Sequence, residues 1–228
     1  MPRTPRPQAE VDAVRDVILT EGLALFARDG FDGLSMRKLG QRLGIAAKTI
    51  YNYFHDKDEL YLAILTRGFE QLLARCRAAA DTPGAPAQRL LAMGRAYVDF
   101  GLEEPNLYSL MFTWRFPKYD DYVGTPMEAA AQTELETALQ LSELFRHTIQ
   151  ALAGPGIVLS DEDTRFLLIT MWAQFHGYVA GYNSILLDYM HDRPTSLKER
   201  LLAAALAHLQ ADLAALRRLP TTEVTALA

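Results

Sequence analysis

The chain has 228 residues, 50% of them hydrophobic, and a net charge of -5. This is length and apolar content enough for one or two folded domains, and the sequence contains no apolar run long enough to cross a membrane as a helix. A single cysteine, Cys76, excludes an internal disulfide, and the arginines and prolines of residues 1–14 are followed by no apolar export core, so a cytoplasmic chain without a membrane partner is expected.

In chain order, residues 1–9 read as a flexible arm, whose Arg3 and Arg6 either reach a minor groove or do nothing. A first helix is expected over about 10–28, with Val14, Ile18, Leu25 and Phe26 as its core stripe and Gly30 ending it. Ser35 stands where an N-cap belongs, ahead of a short helix over 36–43 in which Met36, Leu39 and Leu43 share one face. Gly44 supplies the positive φ that ends it, and Ile45 plugs the angle to a third helix over about 46–53. Asp56, with Glu59 three residues on, caps a fourth helix over about 56–80 that links two domains. Beyond a loop at 81–88, helices are expected over about 87–102, 104–115, 126–153, 161–190 and 195–218, with prolines at their boundaries and a loose tail from 220 to 228. No alternating strand pattern occurs, so the fold class is all-α: a helix-turn-helix domain over 10–60 and a larger helical domain over 81–219.

The pair of short helices with a tight turn is a helix-turn-helix, and its residue types suit DNA. Ser35 to Lys57 holds five basic residues and one acidic, a local balance of +4 in an acidic chain. The helix starts at Ser35 and Met36, and at Ala46 and Ala47, offer backbone amides to phosphates, with Arg37 on an outward face. Lys48 and Thr49 sit early on the recognition helix. There Lys48 can donate to guanine and the Thr49 methyl can pack on thymine. Tyr51, Asn52 and Tyr53 carry groups for phosphate or base contact, and Phe54 is core.

From Val17 to Leu65 the sequence resembles the DNA-binding domain of the TetR family of transcriptional regulators, through ALFARDGFDGLSMRKLGQRLGIAAKTIYNYF followed by DKDELYLAIL. The resemblance implies double-stranded operator DNA as partner, with Tyr51, Tyr53 and Lys57 on the phosphate backbone. It departs at Tyr53, a position that is often histidine in the family. Further on, NLYSLMF from Asn106 and the triplet Trp172, His176 and Gly177 resemble a subclass of the family's C-terminal domain carrying a WxxxHG helix. That implies a small-molecule effector site.

The candidate lining residues for such a site are Tyr97, Phe100, Tyr108, Met111, Phe112, Trp114, Trp172, His176 and Tyr178. So aromatic a core either surrounds a cavity or is solid. Two apolar stripes suggest a four-helix interface between copies: Ala173, Gly177, Ala180, Gly181 and Ser184, and Leu201, Leu202, Ala205, Leu209, Leu213 and Leu216. Part of either stripe can instead be buried within the monomer. No catalytic or nucleotide-binding motif is present, and the histidines lack ligand spacing, so no enzyme activity, cofactor or metal is expected. Arg75 and Arg77 flank Cys76 and would favour its thiolate, although an ordinary helix residue is the expected role. The sequence therefore points to a homodimeric DNA-binding repressor released by a largely apolar ligand. The alternative is a DNA-binding dimer whose larger domain binds none.

Overall fold

The computed structural model of the chain describes residues 7–216, so the first six residues of the expected arm and the 220–228 tail lie outside the described residues. The described residues are all-α, with no strand among them. Ten α-helices follow in order: α1 (Gln8–Gly33), α2 (Met36–Leu43), α3 (Ala47–Ile50), α4 (Lys57–Ala80), α5 (Pro86–Glu103), α6 (Pro105–Phe112), α7 (Tyr119–Tyr122), α8 (Glu128–Ala153), α9 (Asp161–Asn183) and α10 (Lys198–Leu216). No described helix is long and apolar enough to cross a membrane.

Contacts gather into two compact units, one holding residues up to Gln71 together with Glu104–Ala138, the other Leu72–Glu103 together with the chain from Leu139 on. This partition differs from the expected division near residue 80. Residues 104–138 fold with the helix-turn-helix, because aromatic side chains after α6 complete its core.

In the first unit, Ile18, Leu25 and Phe26 of α1 are buried with Leu39, Ile50, Phe54, Leu60, Tyr61 and Leu65. Gly30 breaks the helical path at φ 73°, ψ 179°, and the chain resumes a last turn to Gly33 rather than stopping at 28. Phe31 on that turn meets Phe26, Tyr61 and Phe116 at ring-centroid distances of 5.7, 5.2 and 5.5 Å. Phe116 also meets Phe26 and Tyr61 at 6.0 and 5.9 Å. The Tyr61 hydroxyl donates to the Pro117 carbonyl at 2.9 Å, and the Tyr122 hydroxyl to Asp58 at 2.8 Å. Each of these bonds satisfies a polar group that burial would otherwise penalise.

The second unit packs α9 and α10 on each other and on α5. Gly94 allows the closest approach, since a Cβ there would stand 2.7 Å from the Phe175 ring. Leu202, Leu209 and Leu213 of α10 are 1–2% exposed, so this seam belongs to the chain's own core. That corrects the expectation that it pairs with a second copy. The α9 helix also ends seven residues before the expected 190. Ile185 takes a left-handed φ of 64°, and the chain folds back through 3-10 turns at Leu186–Tyr189 and Pro194–Leu197. The reversal sets Leu187 on Gly181, where a Cβ would stand 3.1 Å from the leucine side chain. Gly181 therefore serves its own chain, whereas nothing lies within 4 Å of a Cβ at Gly177. The Asn183 amide fixes the end of α9 by donating to the Gly101 carbonyl at 2.9 Å.

Candidate nucleic-acid interface

Ser35 caps α2 by accepting the Lys38 amide on its hydroxyl at 3.2 Å. Gly44 ends the helix at φ 67°. The tight angle to α3 depends on Gly40, which the sequence pattern did not single out. A Cβ there would stand 2.8 Å from the Ile45 carbonyl oxygen and 3.1 Å from the Ala47 amide. A glycine inside an otherwise strong helix pattern is the signal that could have found it. Regular α-helix in α3 covers only Ala47–Ile50 and the chain continues as a turn through Tyr53, shorter than the expected 46–53. Ile50 and Phe54 anchor the two ends in the core at 0% and 1% exposure.

The candidate contact residues fall into three groups. Arg37 and Lys48 are exposed and make no hydrogen bond or ion pair with the described residues. Ala46, Tyr51 and Asn52 are also exposed, with Ala47, Thr49 and Tyr53 half-buried beside them. Met36 is different: the residue is 5% exposed and belongs to the core. Lys57 is tied inward. Its ammonium lies 3.9 Å from the Phe31 ring centroid, donates to the Phe31 carbonyl at 3.2 Å and stands 3.8 Å from Asp32.

Pairing also reduces the basic surplus counted in the sequence. Arg42 binds Glu21, and Lys38 donates to the Gly33 carbonyl at 2.7 Å with Asp29 at 3.8 Å. The unpaired positive charge is thus concentrated on Arg37 and Lys48, one on each helix of the motif. At the start of α4, Asp56 accepts the Glu59 amide at 2.8 Å, while the Glu59 carboxylate reaches back to the amide of His55, one residue earlier than a capping box requires.

The candidate ligand residues divide between the two units. In the first, Tyr108 and Met111 are buried, and Phe112 meets Tyr108 at 4.9 Å and Phe69 at 5.5 Å, while Trp114 turns to Phe116 at 5.5 Å. In the second, Tyr97 and Phe100 are buried, and the Trp172 indole donates to the Tyr97 hydroxyl at 2.9 Å. Trp172 stacks on His176 at 4.7 Å, and burial lowers the His176 pKa from its ordinary value, favouring the neutral imidazole. The Tyr178 hydroxyl is taken by the Pro194 carbonyl at 3.0 Å. Cys76 is fully buried and its pKa is pushed up to about 12 by burial, which outweighs the lowering by Arg75. No group of three or more metal-binding side chains occurs among the described residues.

A capped, glycine-hinged helix pair with two free cations on its outer side defines a helix-turn-helix DNA-binding protein. Residues 18–64 match the family profile described as bacterial regulatory proteins, tetR family, and residues 90–205 match the tetracyclin repressor-like C-terminal domain. The chain belongs to the TetR family of transcriptional regulators and, like that family, is not an enzyme. It is 32% identical over 167 residues to the HTH-type transcriptional activator FasR of Mycolicibacterium smegmatis, covering 69% of this chain and 73% of that protein. It is 37% identical over 76 residues to the repressor KstR of the same organism, covering 33% of this chain and 37% of KstR. Among solved structures, a tetR-family regulatory protein from Rhodococcus RHA1 superimposes with a TM-score of 0.67 at 17% identity, covering 86% and 96% of the two chains. The fatty acid degradation regulator FadR from Bacillus halodurans does so with a TM-score of 0.65 at 15% identity, covering 90% and 97%. Both show the same fold.

Proposed function

We propose that the chain acts as a two-fold homodimer that represses transcription from its operator and is released by a small, largely apolar ligand. The observation that carries the DNA reading is the pair of free cations, Arg37 and Lys48, on a motif whose other charges are paired internally. Lys48 and Thr49 read base edges. Arg37, Tyr51, Asn52 and Tyr53, with the backbone at Ser35, Met36, Ala46 and Ala47, hold the phosphates. Lys57 joins them by sharing its charge between Phe31 and a phosphate.

Support for dimerisation comes from the outer faces of α9 and α10. Phe166 and Ile169 are 54% and 59% exposed. Ala173 and Gly177 on α9, and Ala203, Ala204, Ala207, Ala211 and Ala215 on α10, are exposed with them. Small side chains at this spacing allow a second helix pair to approach closely, and a two-fold dimer suits an operator whose half-sites lie about 34–36 Å apart.

Support for a ligand comes from the second unit, where the side chains of Tyr97, Trp172 and His176 meet. Helix α4 carries core residues of both units, which makes it the natural lever. Ligand binding need shift the conformational equilibrium by only about 1–3 kcal/mol to matter. A second reading, activation, has one observation in its favour: FasR, a relative aligned over 69% of the chain, is an activator, whereas KstR matches over 33% of it.

The test is to select duplexes from a randomised library with the full chain and to follow binding by fluorescence anisotropy. The proposal expects a two-fold site bound by two protomers, and apolar compounds that raise the chain's melting temperature should release it. Release by none of the stabilising compounds would favour a dimer whose larger unit only assembles.

A further inference from the structure

The recognition segment poses a physical problem. Four residues of regular helix followed by a turn cannot hold their own geometry in water. Ile50 and Phe54 anchor the segment from within, but Tyr51, Asn52 and Tyr53 lie between those anchors on the outside. A polar side chain from elsewhere in the sequence reaches this exit. Arg15, on α1 and 38 residues earlier, donates to the Tyr53 carbonyl at 3.4 Å and places its guanidinium 4.5 Å from the centroid of the Phe54 ring. It is half-buried and forms no ion pair with the described residues. Its neighbour Asp16 stands instead 3.5 Å from Arg67.

A guanidinium suits this place for three reasons. Its plane stacks on an aromatic face. Its fork of N–H groups leaves a donor for the carbonyl while the plane is stacked. Its charge lies beside the C-terminal carbonyls of the recognition segment, where a cation is favoured. Residue 15 also precedes the segment matched by the family profile, which begins at residue 18.

We infer that Arg15 is a positioning residue for operator recognition: stacked on Phe54 and bonded to the Tyr53 carbonyl, it fixes the exit of the recognition segment and so aims Tyr51, Asn52 and Tyr53 at DNA. The inference rests on the operator-contact reading proposed above. It makes a distinctive demand. Arg15 acts through uncharged side chains, so its loss weakens binding without removing a counterion-releasing contact.

The experiment compares wild type, Arg15→Gln, Arg15→Lys and Lys48→Ala as full chains, on a duplex selected by the wild type and on a scrambled duplex, across a range of salt. Arg15→Gln is expected to weaken the selected duplex about tenfold, the loss of one such cation–π contact. It weakens the scrambled duplex in like proportion, because the residues that Arg15 aims hold phosphates, leaves the salt slope unchanged, because they are uncharged, and lowers the melting temperature only slightly. Arg15→Lys recovers most of the loss, because an ammonium still meets ring and carbonyl. A salt slope smaller by about one unit would make Arg15 a phosphate contact and overturn the inference. So would unchanged affinity, or a loss that follows a falling melting temperature with Lys no better than Gln. Lys48→Ala separates the two claims. If it binds as wild type while Arg15→Gln is impaired, the Lys48 assignment fails and Arg15 stands, and the opposite result removes Arg15 alone.

Discussion

Helices α2 and α10 are both amphipathic by sequence, yet only α2 reveals its buried side. In α2, Met36 and Leu39 are buried, and Arg37, Lys38 and Arg42 are exposed. A charge cannot be buried cheaply without a partner, so one orientation was open to it. In α10 the buried positions are Leu202, Ala205, Leu209 and Leu213, and the exposed ones include Ala203, Ala204, Ala207 and Ala211. Apolar residues thus lie on both sides of the helix. The leucine seam looked like the surface offered to a second copy, but it is the chain's own core, and the alanine face is what remains on the outside. Leucine fills a core better than alanine because it removes more apolar area from water, whereas alanine lets another helix come close. The side richer in large residues therefore turns inward, and the small side stays outside, where the proposed dimer would use it.

The sharpest way to break this comparison is to place a charge on each side of α10. Leu209→Asp should unfold the second unit, costing about 4 kcal/mol or more, and thermal circular dichroism should register the loss. Ala207→Glu should keep the fold and separate the dimer, as read by light scattering. A folded monomer from Leu209→Asp would return the leucine seam to the interface.

In the first unit, Phe116→Ala should cost about 2 kcal/mol, because it removes a partly buried ring shared by Phe26, Phe31 and Tyr61. Denaturant unfolding checks this, and an unchanged midpoint would return residues 104–138 to a separate folding unit. Lys57→Ala should cost about 1 kcal/mol through the lost ring and carbonyl contacts, and should also shrink the salt slope of DNA binding by about one unit. A changed melting temperature with an unchanged slope would give Lys57 to the fold alone.

The smallest effect is at Glu134. Burial raises its pKa above the ordinary carboxylate value, only partly offset by Lys118. A group whose folded pKa is raised favours folding below its unfolded pKa, and that contribution is lost as pH rises through the folded value. Glu134→Gln should therefore slightly raise the melting temperature at neutral pH, with the difference fading in acid. An equal gain at all pH values would trace the effect to packing.

Much of the DNA-binding motif was legible because its signals are local: Ser35 before the apolar run, Gly44 after it, and three-and-four spacing between. What escaped depends on distance in the chain. Glu21 neutralises Arg42 from 21 residues away, Asp29 and Gly33 occupy Lys38, and Phe31 draws Lys57 inward. A window of sequence counts these as free charges. Phe116 and Arg15 act on the motif from outside it for the same reason. The end of α9 was missed because LLDYM is good helix sequence. The break comes from Leu187 folding onto Gly181, a tertiary contact that overrides propensity. The aromatic residues could be named, but whether they enclose a ligand depends on how helices distant in sequence meet.

The central claim is that Arg37 and Lys48 carry the unpaired charge of the DNA-binding face. Its most direct test is a salt titration of the selected duplex with wild type and the Arg37→Ala, Lys48→Ala and Arg42→Ala variants. Arg37→Ala should reduce the salt slope, and Lys48→Ala should relax preference at one base position at a cost of about 1–3 kcal/mol. Arg42→Ala, whose charge is already held by Glu21, should leave affinity and slope near wild type. Equal losses for all three, or a dominant loss at Arg42, would contradict the account.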